Sequence, residues 1–223
     1  MDRISTGVQG LDRLIQGGIP RESVMLLTGG PGAGKTTFCC QFLDQGLRNG
    51  ERCLYISTEE LAGEIEFDAG QFGMNFSQYG DRCQIRYIPP AQKIVGEIEY
   101  IVKEGNFDRV VLDSLSVLEM YKNDAANARR LINDLFKKFR EIDCTVLVTA
   151  EKADPDSEQL TRYGVAEFVA DGVIKMEYVT IGSAAFGNLE VRKMRHTNIA
   201  KGQYETAITN QGLVVKDETF DID

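Results

Sequence analysis

One glycine-rich loop limits the possible folds of this chain more than any other feature. Residues 29–36 read Gly-Gly-Pro-Gly-Ala-Gly-Lys-Thr, and an apolar, strand-like run at 24–28 precedes them. A strand, a glycine-rich loop and a helix in this order form a P-loop, in which backbone N–H groups surround phosphate oxygens. Lys35 adds a positive charge, and the Thr36 hydroxyl can hold Mg²⁺. The sequence therefore predicts a nucleoside triphosphate site formed by Gly29, Gly30, Pro31, Gly32, Ala33, Gly34, Lys35, Thr36 and Thr37.

Length and charge narrow the function classes. The 223 residues can bury a full core, and we expect one domain over residues 1–223. Only 25 Lys and Arg oppose 34 Asp and Glu, which gives a formal charge of −9. The negative electrostatic field of such a charge repels polyanions, so nucleic acid is not the expected partner.

The cysteines and the amino terminus indicate the compartment. No CxxC pair occurs, and the cysteines lie in or beside apolar segments, which predicts buried, reduced thiols and no zinc site. The amino terminus has no apolar signal core, and no apolar run approaches about 18 residues. We therefore expect a cytoplasmic protein that does not enter a membrane. The cysteines are Cys39, Cys40, Cys53, Cys83 and Cys144.

Apolar runs rich in β-formers alternate with helix-length segments. This alternation predicts an α/β fold in which helices cover both faces of a mostly parallel central sheet. Between the last two runs of the parallel region, apolar residues at 3,4 spacing over 128–142 predict an amphipathic helix, and its basic side is interpreted as a solvated face. Turn signals after about residue 186 predict antiparallel strands at the carboxyl end. The runs lie at 24–28, 53–57, 84–88, 109–113, 144–149 and 172–179.

Two further segments supply carboxylates. The apolar run 109–112 ends in Asp113, the Walker B form of a metal-side carboxylate, although the N-cap of a following helix has the same pattern. The run 53–57 is followed by Thr58, Glu59 and Glu60, which could position or deprotonate water at the carboxyl edge of the sheet. Equally, both glutamates could be first-turn residues of the next helix, stabilised by its dipole. The residues alone leave that choice open.

In combination, these motifs resemble the KaiC-like branch of the RecA superfamily of ATPases. The matching motifs span nearly the whole chain in the family's order, and the combination is more specific than any one of them. Besides the P-loop, they are Ser-Thr-Gly-Val-Gln-Gly-Leu-Asp at 5–12, Gly-Gly-Ile-Pro at 17–20, Ser-Thr-Glu-Glu at 57–60, Val-Leu-Asp-Ser at 111–114, Glu-Phe-Val-Ala-Asp-Gly at 167–172 and Arg-Lys-Met-Arg at 192–195.

The resemblance implies a RecA-like P-loop NTPase that uses ATP and Mg²⁺, with Thr36 and Asp113 on the metal and Glu59 and Glu60 as catalytic residues. It also implies a ring, taken as a homohexamer, with ATP held between subunits. In such a ring Lys193 and Arg195 would reach the γ-phosphate bound to the adjacent subunit. From the residues alone, 192–195 could instead be the polar face of an edge strand.

The chain departs from the family pattern at two places. Ile199 occupies the usual histidine position, and the chain's one histidine is displaced to His196, where a surface turn is the plainer interpretation. Glu167 and Phe168 stand where a phosphorylated relative has an adjacent Ser-Thr pair, so we expect hydrolysis without self-phosphorylation.

Three functions remain open from the sequence. The favoured one is an ATPase that acts as a nucleotide-driven switch, timer or signalling scaffold with an unidentified protein partner. A DNA recombinase or its paralogue is disfavoured because the segment 151–171 is acidic where phosphate-binding loops bring positive charge. A non-hydrolysing nucleotide sensor is disfavoured by the intact glutamate pair. The acidic residues of that segment are Glu151, Asp154, Asp156, Glu158, Glu167 and Asp171, against Lys152 and Arg162.

Overall fold

The computed structural model describes residues 1–91, 94–120, 124–152, 159–181 and 184–219. Three of the acidic residues counted above, Asp154, Asp156 and Glu158, lie outside these ranges. The helices are α1 Lys35–Arg48, α2 Ala62–Gly70, α3 Ile94–Gly105, α4 Leu115–Met120, α5 Ala125–Arg140 and α6 Ala166–Val169. The strands are β1 Arg3–Ile4, β2 Ile19–Pro20, β3 Val24–Gly29, β4 Cys53–Ser57, β5 Cys83–Tyr87, β6 Arg109–Asp113, β7 Thr145–Glu151, β8 Gly172–Ile181, β9 Ala184–Met194, β10 Gln203–Thr209 and β11 Gly212–Thr219.

A nine-stranded sheet has the order β11-β10-β9-β8-β3-β7-β6-β4-β5. The strands from β8 to β5 in this order run parallel, and the β8–β9, β9–β10 and β10–β11 pairs are antiparallel. The predicted α/β fold with antiparallel carboxyl-terminal strands is therefore confirmed. The small β1–β2 sheet was not predicted, because two residues per strand are too few to form a period.

Alternate residues of the parallel strands pack on opposite faces of the sheet. Met25 and Leu27 lie in the core beneath α1 and α2, whereas Val24 and Leu26 lie in the core beneath α3 and α5. Both faces are covered, so the strands are apolar throughout rather than alternating with polar residues.

Helix α5 begins earlier than the periodicity predicts. The Asp124 side chain accepts a hydrogen bond from the Asn127 amide at 2.8 Å and caps the helix, which therefore starts at Ala125 rather than near 128. Its apolar side is buried as predicted. Part of its basic side is paired within the protein rather than simply solvated, because Lys138 pairs with Glu99 and Arg140 with Asp171.

The cysteines are free thiols, and all but Cys83 are buried. Cys83 is half-buried, and its surroundings raise the pKa of its thiol to about 12, mainly by desolvation. No helix within the described ranges is long and apolar enough to cross a membrane.

Arg109 is fully buried at the start of β6. Its guanidinium donates to the carbonyl oxygens of Ser5 at 2.7 Å and Phe42 at 2.8 Å, pairs with Glu51, and lies 4.7 Å from the Phe42 ring centre. These contacts join the amino-terminal segment and α1 to the sheet. The charge is compensated by hydrogen bonds and an ion pair, as burial of a charge requires.

Glu119, on α4, is also fully buried. Neither of its carboxylate oxygens makes a hydrogen bond of normal geometry in the described residues, although the backbone amide and the charge of Arg162 act to lower its pKa. Burial first, and the negative charge of Glu167 second, raise the pKa of this carboxyl group to about 7. Between about pH 4.5 and 7, the folded chain therefore retains a proton on Glu119 that an ordinary glutamic acid would release.

We predict that Glu119→Gln stabilises the protein more at pH 8 than at pH 5. The folded-state pKa lies above the unfolded one, so the wild type loses stability as pH rises through this window, and the uncharged amide does not. Urea unfolding should show that the gain in unfolding free energy of the variant over the wild type is about 2–3 kcal/mol larger at pH 8 than at pH 5. The exposed Glu104→Gln on α3 is the control, and equal effects of Glu119→Gln at both pH values would contradict the prediction.

Candidate active site

The P-loop connects the central strand β3 to α1. Gly32 and Gly34 have φ values of 74° and 89°, which glycine adopts readily, and Gly34 is the N-cap of α1. At Gly29, a Cβ atom would lie 1.9 Å from the Met176 carbonyl oxygen, so only glycine fits against β8. At Gly30 and Gly32, a Cβ atom would meet nothing within 4 Å. The loop is therefore tight against the sheet and open towards solvent, as a phosphate cradle requires.

Lys35 lies along this loop. Its Nζ donates to the carbonyl oxygens of Gly29 at 3.0 Å and Gly30 at 2.9 Å and is 4.0 Å from Glu151 Oε1. The ammonium group is thus already placed over the loop. Thr36 and Thr37 follow in the first turn of α1 and line a cavity of about 240 Å³ with residues of α2, including Asp68.

Asp113 ends β6 and is held by neighbouring strands on both sides. Tyr55 on β4 donates its hydroxyl to Oδ2, and Thr149 on β7 donates its hydroxyl to Oδ1. The carboxylate therefore makes inter-strand contacts rather than the helix-cap contact that its pattern also allowed. The peptide bond between Asp113 and Ser114 is cis.

Glu59 and Glu60 lie between β4 and α2. Their amides donate to the Ser57 hydroxyl at 3.2 and 2.8 Å, in a turn that precedes the helix. Helix α2 begins only at Ala62, and the acidic residue of its first turn is Glu64. The interpretation of the pair as first-turn helix residues is therefore wrong.

The two glutamates differ in environment. Glu59 is exposed and accepts a hydrogen bond from the Ser114 hydroxyl, whereas Glu60 is half-buried and its Oε2 is buried with no hydrogen-bond partner in the described residues. Desolvation first, then the charge of Asp113, raises the pKa of Glu60. A carboxylate with a raised pKa and an unused oxygen, facing a second carboxylate, is suited to accept a proton or to contact a bound group.

The loop after β4 is joined to β6 by backbone and hydroxyl contacts. The Thr58 amide donates to the Asp113 carbonyl oxygen at 2.7 Å, and the Ser114 amide donates to the Thr58 hydroxyl at 3.0 Å. These bonds fix the glutamate pair relative to Asp113.

Lys193 and Arg195 lie at the opposite end of the sheet from the P-loop. Lys193 pairs with Val173, which is level with Leu26, and the Arg195 amide bonds to Asp171 beside Val24. At about 3.3 Å per residue, Gly29 is some 10–17 Å further along β3. The structure therefore does not bring these two residues to the phosphate cradle of their own subunit.

Both cations have partners within the chain. Lys193 Nζ donates to the carbonyl oxygens of Glu167, Phe168 and Ala170 at 3.3, 3.2 and 2.6 Å, which closes the carboxyl end of α6. Arg195 pairs with Asp171 at 3.3 Å. Strand β9 pairs with β10 over residues 187–190, whereas Lys193 and Met194 pair with β8 and have no partner on β10 among the described residues, so the edge-strand interpretation of this segment stays open.

The positions at which the chain departs from the family pattern have structural roles. Glu167 accepts hydrogen bonds from the Leu160 amide at 3.1 Å and the Thr161 hydroxyl at 2.6 Å, and Phe168 is exposed. His196 is exposed in a turn with a φ of 57°, and Ile199 packs against the core.

A model of the family described as the KaiC ATPase matches residues 4–219. The chain belongs to the KaiC ATPase family. Among its relatives, the circadian clock protein KaiC3 of Synechocystis is 29% identical over 96% of this chain and 46% of that protein. The chain thus spans about half the length of this clock protein. A UPF0273 protein of Methanopyrus kandleri is 28% identical over 98% of this chain and 93% of its own length.

A solved structure supports the same assignment. The KaiC-like protein of the hyperthermophilic archaeon Pyrococcus horikoshii has a TM-score of 0.87 and 31% identity, with 96% of this chain and 99% of that chain covered. The predicted resemblance and the RecA-like fold are confirmed.

Sequence reasoning missed the side chains that hold the KaiC-family carboxylates in place. Tyr55 and Thr149 lie inside apolar strands and look like core residues, although they occupy the same face of the sheet as Asp113. Glu151 was noted only for its charge, whereas it is close to Lys35. Strand parity, applied once the strand order is known, would have found all three.

Proposed function

We propose that this chain binds and hydrolyses ATP in the presence of Mg²⁺. The observation that carries the proposal is the convergence of Lys35, Asp113 and Glu60 at the carboxyl ends of β3, β6 and β4. Ligands of open parallel sheets bind at this edge. The open face of the loop at Gly30 and Gly32 and the unpartnered Oε2 of Glu60 both leave room for a bound group.

Different residues of the chain bind the phosphates, hold the metal and activate water. P-loop amides and Lys35 bind phosphate oxygens, and Thr36 and Asp113 hold the metal, Asp113 with an orientation fixed by two hydroxyl donors. Mg²⁺, when bound, neutralises charge that develops on the phosphates. Glu60 accepts a proton from the water whose oxygen bonds to the γ-phosphorus, the bond from that phosphorus to the bridging oxygen breaks, and ADP leaves; Glu59, held by Ser114, orients the water.

We predict that Lys35→Ala abolishes phosphate release and weakens ATP binding, because the phosphate oxygens lose their charged partner. Glu59→Gln combined with Glu60→Gln should retain ATP binding and lose about 10²–10⁴ in phosphate release, the usual effect of removing a general base. Calorimetry with Mg-ATP and steady-state phosphate release measure the two properties. The exposed Glu66→Gln on α2 serves as the control. Wild-type turnover in either active-site variant would remove those residues from the mechanism.

The raised pKa of Glu60 predicts the acidic limb of the pH profile. Glu60 must be ionised to accept a proton, so hydrolysis should rise with pH at a midpoint above the ordinary glutamate value of about 4.3. The residual activity of Glu60→Gln should lack this limb, whereas that of Glu59→Gln should keep it. If Glu59→Gln loses the limb and Glu60→Gln keeps it, the two roles are reversed.

We also propose that the active site is completed between subunits of a homohexameric ring. Lys193 and Arg195 are too far along the sheet from their own P-loop to contact phosphate there, and the resemblance supports a contact with the neighbour's γ-phosphate. Arg195 is half exposed, with 53% of its side chain accessible, and can reach outwards. An intersubunit role uses this exposure.

Mixing two inactive variants tests the shared site. Lys35→Ala lacks the cradle and Arg195→Ala lacks the intersubunit charge, so a mixed ring should contain sites with both halves intact. We predict partial recovery of phosphate release when the two proteins exchange subunits, with exchange and ring size followed by native mass spectrometry. No recovery at any ratio despite proven exchange would overturn the intersubunit assignment.

The cellular role is proposed more broadly, as a nucleotide-driven switch, timer or signalling scaffold with a protein partner. The family includes circadian clock proteins, which favours this over DNA recombination. The absence of self-phosphorylation stays a prediction, supported by Glu167 and Phe168 at the acceptor positions. Labelling with γ-labelled ATP tests it.

A further inference from the structure

Asp171, the residue before β8, is a carboxylate that two guanidinium groups share. Arg140, the last residue of α5, donates from Nε to Oδ2 at 3.2 Å and from Nη2 to Oδ1 at 3.3 Å. Arg195 makes one contact, from Nη1 to the same Oδ1 at 3.3 Å. Oδ2 also accepts a hydrogen bond from the Val24 amide at 3.0 Å. Asp171 therefore holds Arg140 by two contacts and the Arg195 side chain by one.

The shared oxygen decides what remains if the Arg195 side chain turns away. Oδ1 would keep Arg140 Nη2, and Oδ2 would keep Arg140 Nε and the Val24 amide. Only 15% of the Asp171 side chain is accessible, and a buried carboxylate that loses its charged partner is costly. Among the described residues, Arg140 and Arg195 are the two cations that pair with Asp171. Arg140 thus removes the cost of releasing Arg195.

The two arginines differ in how firmly they are anchored. Besides Asp171, Arg140 donates to the carbonyl oxygen of Val169, the last residue of α6. Arg195 is anchored by its main chain, whose amide donates to the Asp171 carbonyl oxygen at 2.8 Å. Its side chain is 53% accessible and lines a cavity of about 300 Å³ together with Arg140 and Asp171. The Arg195 side chain therefore has room to move while its backbone stays in place.

Like charges also favour the release of Arg195. The two guanidinium groups contact the same oxygen of Asp171, so they repel each other at close range. Lys193 lies in the same cluster, because its pKa is lowered first by desolvation, then by the charge of Arg195, and also by that of Arg140. Three cations thus surround one carboxylate. The excess positive charge favours movement of the most exposed of them towards an anion.

We propose that Arg140 is a positioning residue of the intersubunit active site: by holding Asp171, it releases Arg195 to the phosphates bound by the neighbouring subunit. This inference rests on the intersubunit site proposed above and adds to it a residue that contacts neither nucleotide nor water. Arg140 acts in the subunit that contributes Arg195. Its removal should leave the phosphate cradle of that same subunit intact.

The first experiment compares Mg-ATP binding and phosphate release in the wild type, Arg140→Ala and Arg140→Lys. We expect Arg140→Ala to bind Mg-ATP as the wild type does in calorimetry and to lose about 10- to 100-fold in kcat, the effect of one charge-assisted hydrogen bond. Arg140→Lys keeps the charge and should lose less. Arg129→Ala, an exposed arginine on the same helix, is the matched control. Wild-type kcat in Arg140→Ala would overturn the proposal.

A second substitution separates positioning from a structural role. In Arg140→Ala, the charge of Asp171 should hold Arg195 within its own subunit. Asp171→Asn removes that charge, and its amide oxygen can still accept the Val24 amide. The double variant should therefore regain kcat relative to Arg140→Ala. A double variant that is slower than Arg140→Ala would assign Arg140 to the fold alone and overturn the proposal.

Mixed rings show in which subunit Arg140 acts. Lys35→Ala contributes an intact Arg195, and Arg140→Ala contributes an intact cradle, so this mixture should release more phosphate than the two proteins separately. Arg140→Ala mixed with Arg195→Ala should show no such gain, because each site then lacks a free Arg195. Native mass spectrometry verifies subunit exchange. If Arg140 instead supports its own P-loop strand through Asp171 and Val24, the two mixtures will give the opposite pattern.

The mixture of Lys35→Ala with Arg195→Ala distinguishes the failure of this proposal from that of the intersubunit site. No recovery in that mixture, despite proven exchange, would overturn the intersubunit site and the role of Arg140 with it. Recovery there, combined with the opposite pattern or with equal results in the two Arg140→Ala mixtures, would overturn the role of Arg140 alone.

Discussion

The position of β3 between β7 and β8 is the constraint on which the rest of the site depends. Strand β7 pairs with it in parallel from Val24 to Gly29 and β8 from Met25 to Gly29, and Gly29 has no room for a side chain beside the Met176 carbonyl oxygen. The P-loop therefore leaves the sheet at its centre, in one direction only. Groups on β7, β6 and β4 lie on one side of the loop, and groups on β8 and β10 lie on the other. On the proposed triphosphate site, the reacting end of the ligand faces the carboxylates.

On the side of the P-loop that carries the carboxylates, Asp113 and Glu59 are fixed by hydrogen bonds, and one oxygen of Glu60 has no hydrogen-bond partner in the described residues. Asp113 receives hydroxyl hydrogen bonds from two flanking strands, and Ser114 holds Glu59, so neither residue needs to reorganise when charge develops nearby. Glu60 is the exception, because burial and the nearby charge of Asp113 raise its pKa while one oxygen stays unpaired. An unsatisfied buried oxygen costs folding free energy, typically about 1–3 kcal/mol. Glu119 also has unpaired oxygens, but Glu60 differs from it in lying directly after β4 at the carboxyl edge of the sheet, where ligands bind.

Local patterns predicted much of the fold, because each element carries its own signal. The P-loop, the apolar runs and the 3,4 spacing of α5 report local structure directly, and the carboxylates were found because they follow such runs. The pairing of Arg140 with Asp171 could not be found in this way, since it depends on how α5 packs against α6. Buried Arg109 and Glu119 have sequence contexts like those of surface residues, and only tertiary packing distinguishes them. The Asp124 cap moved the start of α5, which apolar periodicity cannot specify.

Lys193 and Arg195, the proposed intersubunit pair, are bound by contacts within their own subunit. Lys193 donates to the Ala170 carbonyl oxygen just after α6, and Arg195 pairs with Asp171. The other carboxylate oxygen of Asp171 accepts a hydrogen bond from the amide of Val24, at the start of the P-loop strand. Desolvation, and next the nearby charge of Arg195, lower the pKa of Lys193, so the two cations oppose each other's charge. An anion presented by a neighbouring subunit would relieve that repulsion, and each hydrogen bond given up within the subunit costs only about 1 kcal/mol net. On the proposed ring arrangement, a neighbour's phosphates thus compete with α6 and Asp171 for the same two side chains. Because Asp171 also anchors β3, such an exchange would act at the base of the strand that carries the subunit's own P-loop.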